Sequence, residues 1–215
     1  MTDGQTVHVV VRVWLPDRPG ALGQVASRIG AMRGDIVGVE VLERSGTVAV
    51  DEFAVDLPSA DLVPLLVREV EEVDGASVEE VEQVDRFPDP RLDALQSVER
   101  LCVAEKPRDV PALLARECCA EFLAEWGAVL ISGALAASTG AAPDVDVLVA
   151  LATGTAASPL VASGESGPDD LAVAALTDHD AIVLVGRARR PFRKRERAQL
   201  LAVARIADRV WGLLE

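Results

Sequence analysis

From residue 7 to residue 15 the chain alternates with a period of two: Val7, Val9, Val11, Val13 and Leu15 share one face, and His8, Arg12 and Trp14 mark the other. β-Branched residues at that spacing predict a strand with one face in a core. The period then lengthens. Leu22, Val25, Ala26 and Ile29 recur at helical spacing, predicting a helix that runs to about Arg33 with Gly34 at its C-cap. Residues 35–42 predict a second strand, 43–46 a hairpin turn, and 47–57 a third strand. Asp51 and Glu52 interrupt that third alternation, so a bulge or a partly exposed strand is expected there. Pro58 and Ser59 open a second helix with Leu62, Leu65, Leu66, Val70 and Val73 on one face. The acid-rich residues 77–84 predict a fourth strand at a sheet edge, where charge discourages unwanted pairing. The order βαββαβ over residues 5–85 predicts an α+β ferredoxin-like sandwich, with two helices over one face of an antiparallel sheet. The uncovered face or edge of such a sheet calls for a partner, and a homodimer is expected.

Residues 86–92, punctuated by Pro88 and Pro90, predict a linker, and residues 93–215 a second domain. Leu95, Val98 and Cys102 recur at helical spacing, as do Val110, Leu113, Leu114, Cys118 and Phe122, which places Cys118 in a core and Cys119 at a helix flank. Residues 127–132, 145–151 and 181–186 read as buried strands. The small-residue stretches 136–143 and 152–170 read as loops, and 171–176 as a short apolar element. Pro191 and Phe192 lead into a long closing helix with Leu200, Val203, Ala207, Val210, Trp211 and Leu214 among its apolar positions.

Composition narrows the classes. The net charge of −14 argues against general affinity for nucleic acid or anionic membranes. It is uneven: residues 1–90 hold 18 acids and 7 bases, residues 91–215 hold 17 and 14, which supports two domains. No apolar run approaches bilayer length, the first five residues carry no leader pattern, and three cysteines make no disulfide framework, so a cytoplasmic protein is expected.

The stretch Leu15-Pro16-Asp17-Arg18-Pro19-Gly20-Ala21-Leu22 joins the first strand to the first helix. Pro19 suits a first helical turn, Asp17 is placed to cap free amides, and Gly20 permits close backbone approach. A helix N-terminus of this kind attracts carboxylates. With the βαββαβ order and Gly34-Asp35-Ile36 after the helix, these residues make the first domain similar to ACT domains, the regulatory modules of amino-acid metabolism. The resemblance implies a ligand, usually an amino acid, held between paired domains by the first turn and the start of the second strand. Matched position by position, it implicates Leu15, Asp17, Arg18, Pro19, Gly20, Ala21, Leu22, Asp35 and Ile36. Serine-responsive members often carry His and Asn where this chain has Leu15 and Asp17, and Asn where it has Asp35. The second domain resembles a GAF domain through its opening helices, central strands, the Val183–Arg187 strand, the Arg190-Pro191-Phe192 entry and the closing helix. The GAF likeness implies a sensory α/β module and transfers no ligand residues.

Nothing in the chain makes a case for catalysis. Phosphate-loop and nucleophile-elbow spacings are absent, and His8 and His179 lack convincing triad partners. No cofactor is implied. Asp178-His179-Asp180 is a polar turn whose adjacent side chains do not converge on one ion, and the cysteines lack zinc spacing. Arg187, Arg189, Arg190, Arg193, Lys194, Arg195 and Arg197 form a basic run that is either a solvated helix start, a partner to the acidic first domain, or a docking site for a phosphate, a nucleotide or an acidic partner. The expected function is therefore a non-catalytic regulator that binds a small ligand, an amino acid, at an ACT-like dimer interface and relays it to the GAF-like domain. The alternative is a dimerisation and docking module whose ligand site has degenerated.

Overall fold

The computed structural model describes residues 6–215, apart from the side chains at positions 90 and 91; the pentapeptide expected to carry no leader lies outside them. It divides into two compact units, Met1–Pro88 and Asp89–Glu215.

The first unit runs β1 (Val7–Pro16), α1 (Ala21–Ala31), β2 (Asp35–Ser45), β3 (Val48–Leu57), α2 (Val63–Glu71) and β4 (Ser77–Val84). The strands pair antiparallel in the order β2-β3-β1-β4, the ferredoxin-like arrangement that the alternation predicted. Val9, Val11, Val13 and Leu15 of β1 pack with Phe53, Val55 and Leu57 of β3 against Val25 and Ile29 of α1 and Leu66 and Val70 of α2. β1 is central, and two residues on its second face, Val10 and Arg12, are buried as well. Arg12 is only 2 % exposed there, its guanidinium donating to Glu52 at 3.0 and 3.3 Å. In register across all four strands lie Glu40, Glu52, Arg12 and Glu80, so a burial that would be costly for an unpaired cation is compensated by facing carboxylates.

Local details depart from expectation. The hairpin turn is Gly46-Thr47, one residue further on, because Ser45 still pairs with Val48. The irregularities expected at Asp51 and Glu52 sit on the facing strand, where β2 slips register between Ile36 and Gly38 and between Val41 and Glu43. Leu22 is 43 % exposed; Ala21, not Leu22, takes the inward position with Val25 and Ile29. A short turn of 3-10 helix at Ala60–Leu62, capped by Ser59, precedes α2.

The second unit contains α3 (Pro90–Leu101), α4 (Val110–Glu121), β5 (Trp126–Ile131), β6 (Ala134–Gly140), α5 (Val145–Ala156), α6 (Pro159–Ala162), β7 (Leu171–Leu176), β8 (Ala181–Gly186) and α7 (Lys194–Leu214). Its antiparallel sheet has the order β6-β5-β8-β7. α4 and α7 cover one face through Leu114, Cys118, Leu200, Val203 and Ala207 against Val129, Val183 and Val185. α5 covers the other through Leu148 and Ala152 against Ala128, Leu130 and Leu184. Burial on both faces explains the near-continuous apolar runs of β5 and β8.

Residues 152–170, expected as a loop, hold the end of α5 and all of α6, and three further expectations fail here. Residues 145–151 are helical, because Leu148, Ala152 and Thr155 form a buried stripe on the sheet. Residues 134–140 are a strand, folded back on β5 through Ser132 and Gly133, both at positive φ. α3 begins at Pro90 inside the expected linker, where Leu92 N–H bonds to the Asp89 side chain and Asp89 N–H to that of Asp93. Its inward positions are Ser97 and Leu101, while Leu95 is 68 % exposed.

Candidate functional site

β1 hands the chain to α1 through a tight turn. Asp17 N–H donates to the Thr47 carbonyl at 2.8 Å and Arg18 N–H to the Pro16 carbonyl at 2.8 Å, which fastens the turn to the β2–β3 hairpin. Gly20 takes φ +89°, a left-handed conformation that glycine adopts without a Cβ penalty; nothing crowds it, so conformation rather than close approach is the reason for glycine. Pro19 lies before the helix, which starts at Ala21 without a side-chain cap. Asp17 does not cap it. Its Oδ1 instead faces Nε of Arg44 at 3.9 Å, from the end of β2.

The residues matched to ACT domains fall into three groups. Asp17, Arg18, Pro19, Gly20 and Leu22 are exposed around the turn. Leu15 and Ala21 are in the core, so their side chains hold the turn in place. Asp35 and Ile36 lie at the start of β2. Because β1 and β2 run parallel on either side of β3, that start is level with Asp56, whereas the turn is level with Val48. At about 3.3 Å per residue the two ends are roughly 25 Å apart. One copy does not bring Asp17 and Asp35 together.

Two residues missed by pattern reading belong at the Asp17 end. Arg44 read as turn filler, although counting back from the hairpin would have placed it level with the turn after β1. Asp51 read as a break in alternation, yet it faces the core. Burial pushes its carboxyl above the ordinary aspartate value of 3.8, with the charge of Asp17 adding and that of Arg44 opposing.

Elsewhere in the first unit, a cavity of about 560 Å³ lies beside Gly20, Gly23, Gln24 and Ser27 of the first helix region and Glu72, Val73 and Asp74. In the second unit a cavity of about 310 Å³ is lined by Asp178, His179, Asp208, Arg209 and Glu215. Here His179 Nδ1 lies 2.7 Å from Asp208 Oδ1, the ring stacks on Trp211 at 4.5 Å, and Asp178 N–H donates to Asp208 at 3.0 Å. His179 is thus built into the contact between the β7–β8 turn and α7. Among the described residues no group of three or more His, Cys, Asp or Glu side chains is arranged to hold a metal, and no helix is long and apolar enough to cross a membrane.

The basic run is not one solvated patch. Arg187, Arg193 and Arg197 are buried. Arg187 donates to the carbonyls of Phe122, Arg190 and Pro191 and to Glu196, with its guanidinium 4.0 Å above the Phe192 ring. Arg197 donates to the carbonyls of Leu171, Pro168 and Phe192. These forks satisfy loop carbonyls inside the unit, and the exposed members that remain are Arg189, Lys194 and Arg195, with Lys194 paired to Glu165.

No protein-family model matches the chain. No curated protein matches it. Among solved structures it is similar to the ACT domain of a GTP pyrophosphokinase from Chlorobium tepidum, at 15 % identity over 39 % of this chain and 92 % of that one, with a TM-score of 0.31. It is similar to the ligand-free regulatory subunit of aspartate kinase from Thermus thermophilus, at 15 % identity over 47 % of this chain and 73 % of that one, with a TM-score of 0.29. An unknown protein from Galdieria sulphuraria aligns over 97 % of this chain and 94 % of its own at 13 % identity, with a TM-score of 0.36. Scores at this level carry no functional weight.

Proposed function

We propose that the chain is a non-catalytic regulatory protein whose first unit, ACT-like, binds an amino acid at a site shared between two copies, and whose second unit, GAF-like, reads the result. The observation that carries this reading is the placement of Asp17 and Asp35 at opposite ends of one sheet, with an unpaired edge strand available to reunite them. β2 is one of the two edge strands, and its Val37, Val39 and Val41 are 50 %, 39 % and 39 % exposed. An edge with a row of exposed valines invites strand pairing. In an antiparallel pairing of two β2 strands, the start of one lies beside the end of the other. Asp35 of one copy then approaches Arg44 and Asp17 of the other. The chemistry suits a zwitterion: Arg44 and the free amides at the start of α1 attract a carboxylate, and the aspartates attract an ammonium. A ligand that bridges two copies favours one dimer arrangement by its differential affinity, which is how a signal reaches the second unit.

Calorimetric titration of the full chain with each standard amino acid tests the reading. Saturable binding that is lost in both Asp17→Ala and Asp35→Ala supports it, with light scattering reporting the dimer. Absence of heat from every amino acid contradicts it. Hydrogen exchange in residues 171–186 that is unchanged by a bound ligand contradicts the relay.

A further inference from the structure

One carboxyl at the proposed site has no structural role that explains it. Asp51 of β3 is 5 % exposed, and its Oδ1 has no hydrogen-bond partner among the described residues. Buried polar atoms without partners are rare, because burial removes water and gives nothing in return. Asp51 stands where β2 slips register between Val41 and Glu43, opposite Val13 of β1 on its other side. The charges of Arg44 and Asp17 both act on it. Arg44 in turn is 3.9 Å from Asp17 and 66 % exposed, beyond hydrogen-bond reach and therefore held by charge alone. An oppositely charged ligand can take it over.

We propose that Asp51 accepts a hydrogen bond from the ammonium of a small zwitterionic ligand while Arg44 donates to its carboxylate. This rests on the amino-acid reading above and names the two groups that make the site select α-amino acids over simple anions or amines. A carboxylate alone gives Asp51 no donor and meets the charge of Asp17 with no ammonium to offset it. An amine alone leaves Arg44 with only Asp17. A ligand carrying both charges supplies Asp51 with the donor it lacks and gives Arg44 a carboxylate within hydrogen-bond reach, which Asp17 at 3.9 Å does not, while Asp17 helps to hold the ammonium. An arriving ammonium also favours ionisation of a carboxyl that burial disfavours in its charged form.

The test is calorimetry on the full chain with each standard amino acid, and with acetate and methylamine as fragment probes, for the unaltered protein, Asp51→Asn and Arg44→Gln. The expected result is that the unaltered protein binds at least one amino acid and neither fragment. Asp51→Asn then melts no lower than the unaltered protein and binds that amino acid at least about ten-fold more weakly, as does Arg44→Gln. A purely structural Asp51 lowers the melt on substitution and leaves the affinity alone. Unchanged affinity in either variant overturns the assignment, while loss in Asp17→Ala keeps the amino-acid site standing. No binding by the unaltered protein overturns both.

Discussion

Nη2 of Arg187 lies 2.8 Å from Oε1 and 2.9 Å from Oε2 of Glu196, a forked contact that ties the end of β8 to the first turn of α7. Glu196 also accepts from Arg193 N–H at 2.8 Å, so one carboxylate closes the helix start and neutralises the buried guanidinium. Arg187→Met removes a group that three loop carbonyls depend on and leaves Glu196 without its fork. The expected loss is about 3–5 kcal/mol of unfolding free energy, read as a lowered urea midpoint. Arg187→Lys is expected to recover little of it, because an ammonium cannot reproduce the fork. A Met variant as stable as the original would show that this arginine is not structural.

Asp51 makes stability depend on acidity. Its carboxyl holds its proton more tightly in the folded protein than in the unfolded chain, because burial disfavours the charge. The contribution to stability is therefore full below the ordinary aspartate value of 3.8 and is lost as pH rises through the raised folded value. Asp51→Asn removes that loss. The variant is expected to melt above the unaltered protein at neutral pH, with the gap closing as pH falls toward the ordinary aspartate range. Parallel melting curves at all pH values would mean that burial does not raise the affinity of Asp51 for its proton.

The first unit was readable in the sequence because its sheet is covered by helices on one side only. Val9, Val11 and Val13 alternate with a period of two against Val25 and Ile29 at helical spacing, and each period has one physical cause. The second unit was less readable because its sheet is covered on both sides. Val145, Val147 and Val149 look like a strand, yet the helix they sit in is fixed by Leu148 and Ala152 meeting Leu130 and Leu184, a tertiary contact that overrides β propensity. Residues 134–140 hold little that favours a strand, and β5 imposes the conformation by pairing. At the candidate site the matched turn was readable, but Arg44 and Asp51 were not. Their relevance comes from strand register, which places residues distant in sequence beside Asp17.

The proposed dimer edge gives its own expectation. Val39 on the edge strand β2 is 39 % exposed, so Val39→Lys should leave the fold intact while placing a charge in the pairing seam. Light scattering is expected to show a dimer for the original chain and a monomer for the variant, and amino-acid binding is expected to disappear with the dimer. A variant that stays dimeric places the interface elsewhere.

Mixing two binding-dead variants asks whether the site is shared. On the proposed reading neither Asp17→Ala nor Asp35→Ala is expected to bind by itself, but a mixed dimer is expected to regenerate one site from the intact Asp17 of one copy and the intact Asp35 of the other. Random exchange of subunits is expected to restore about one quarter of the original sites at undiminished affinity, measured by calorimetry. No recovery after verified exchange would contradict a site shared between two copies.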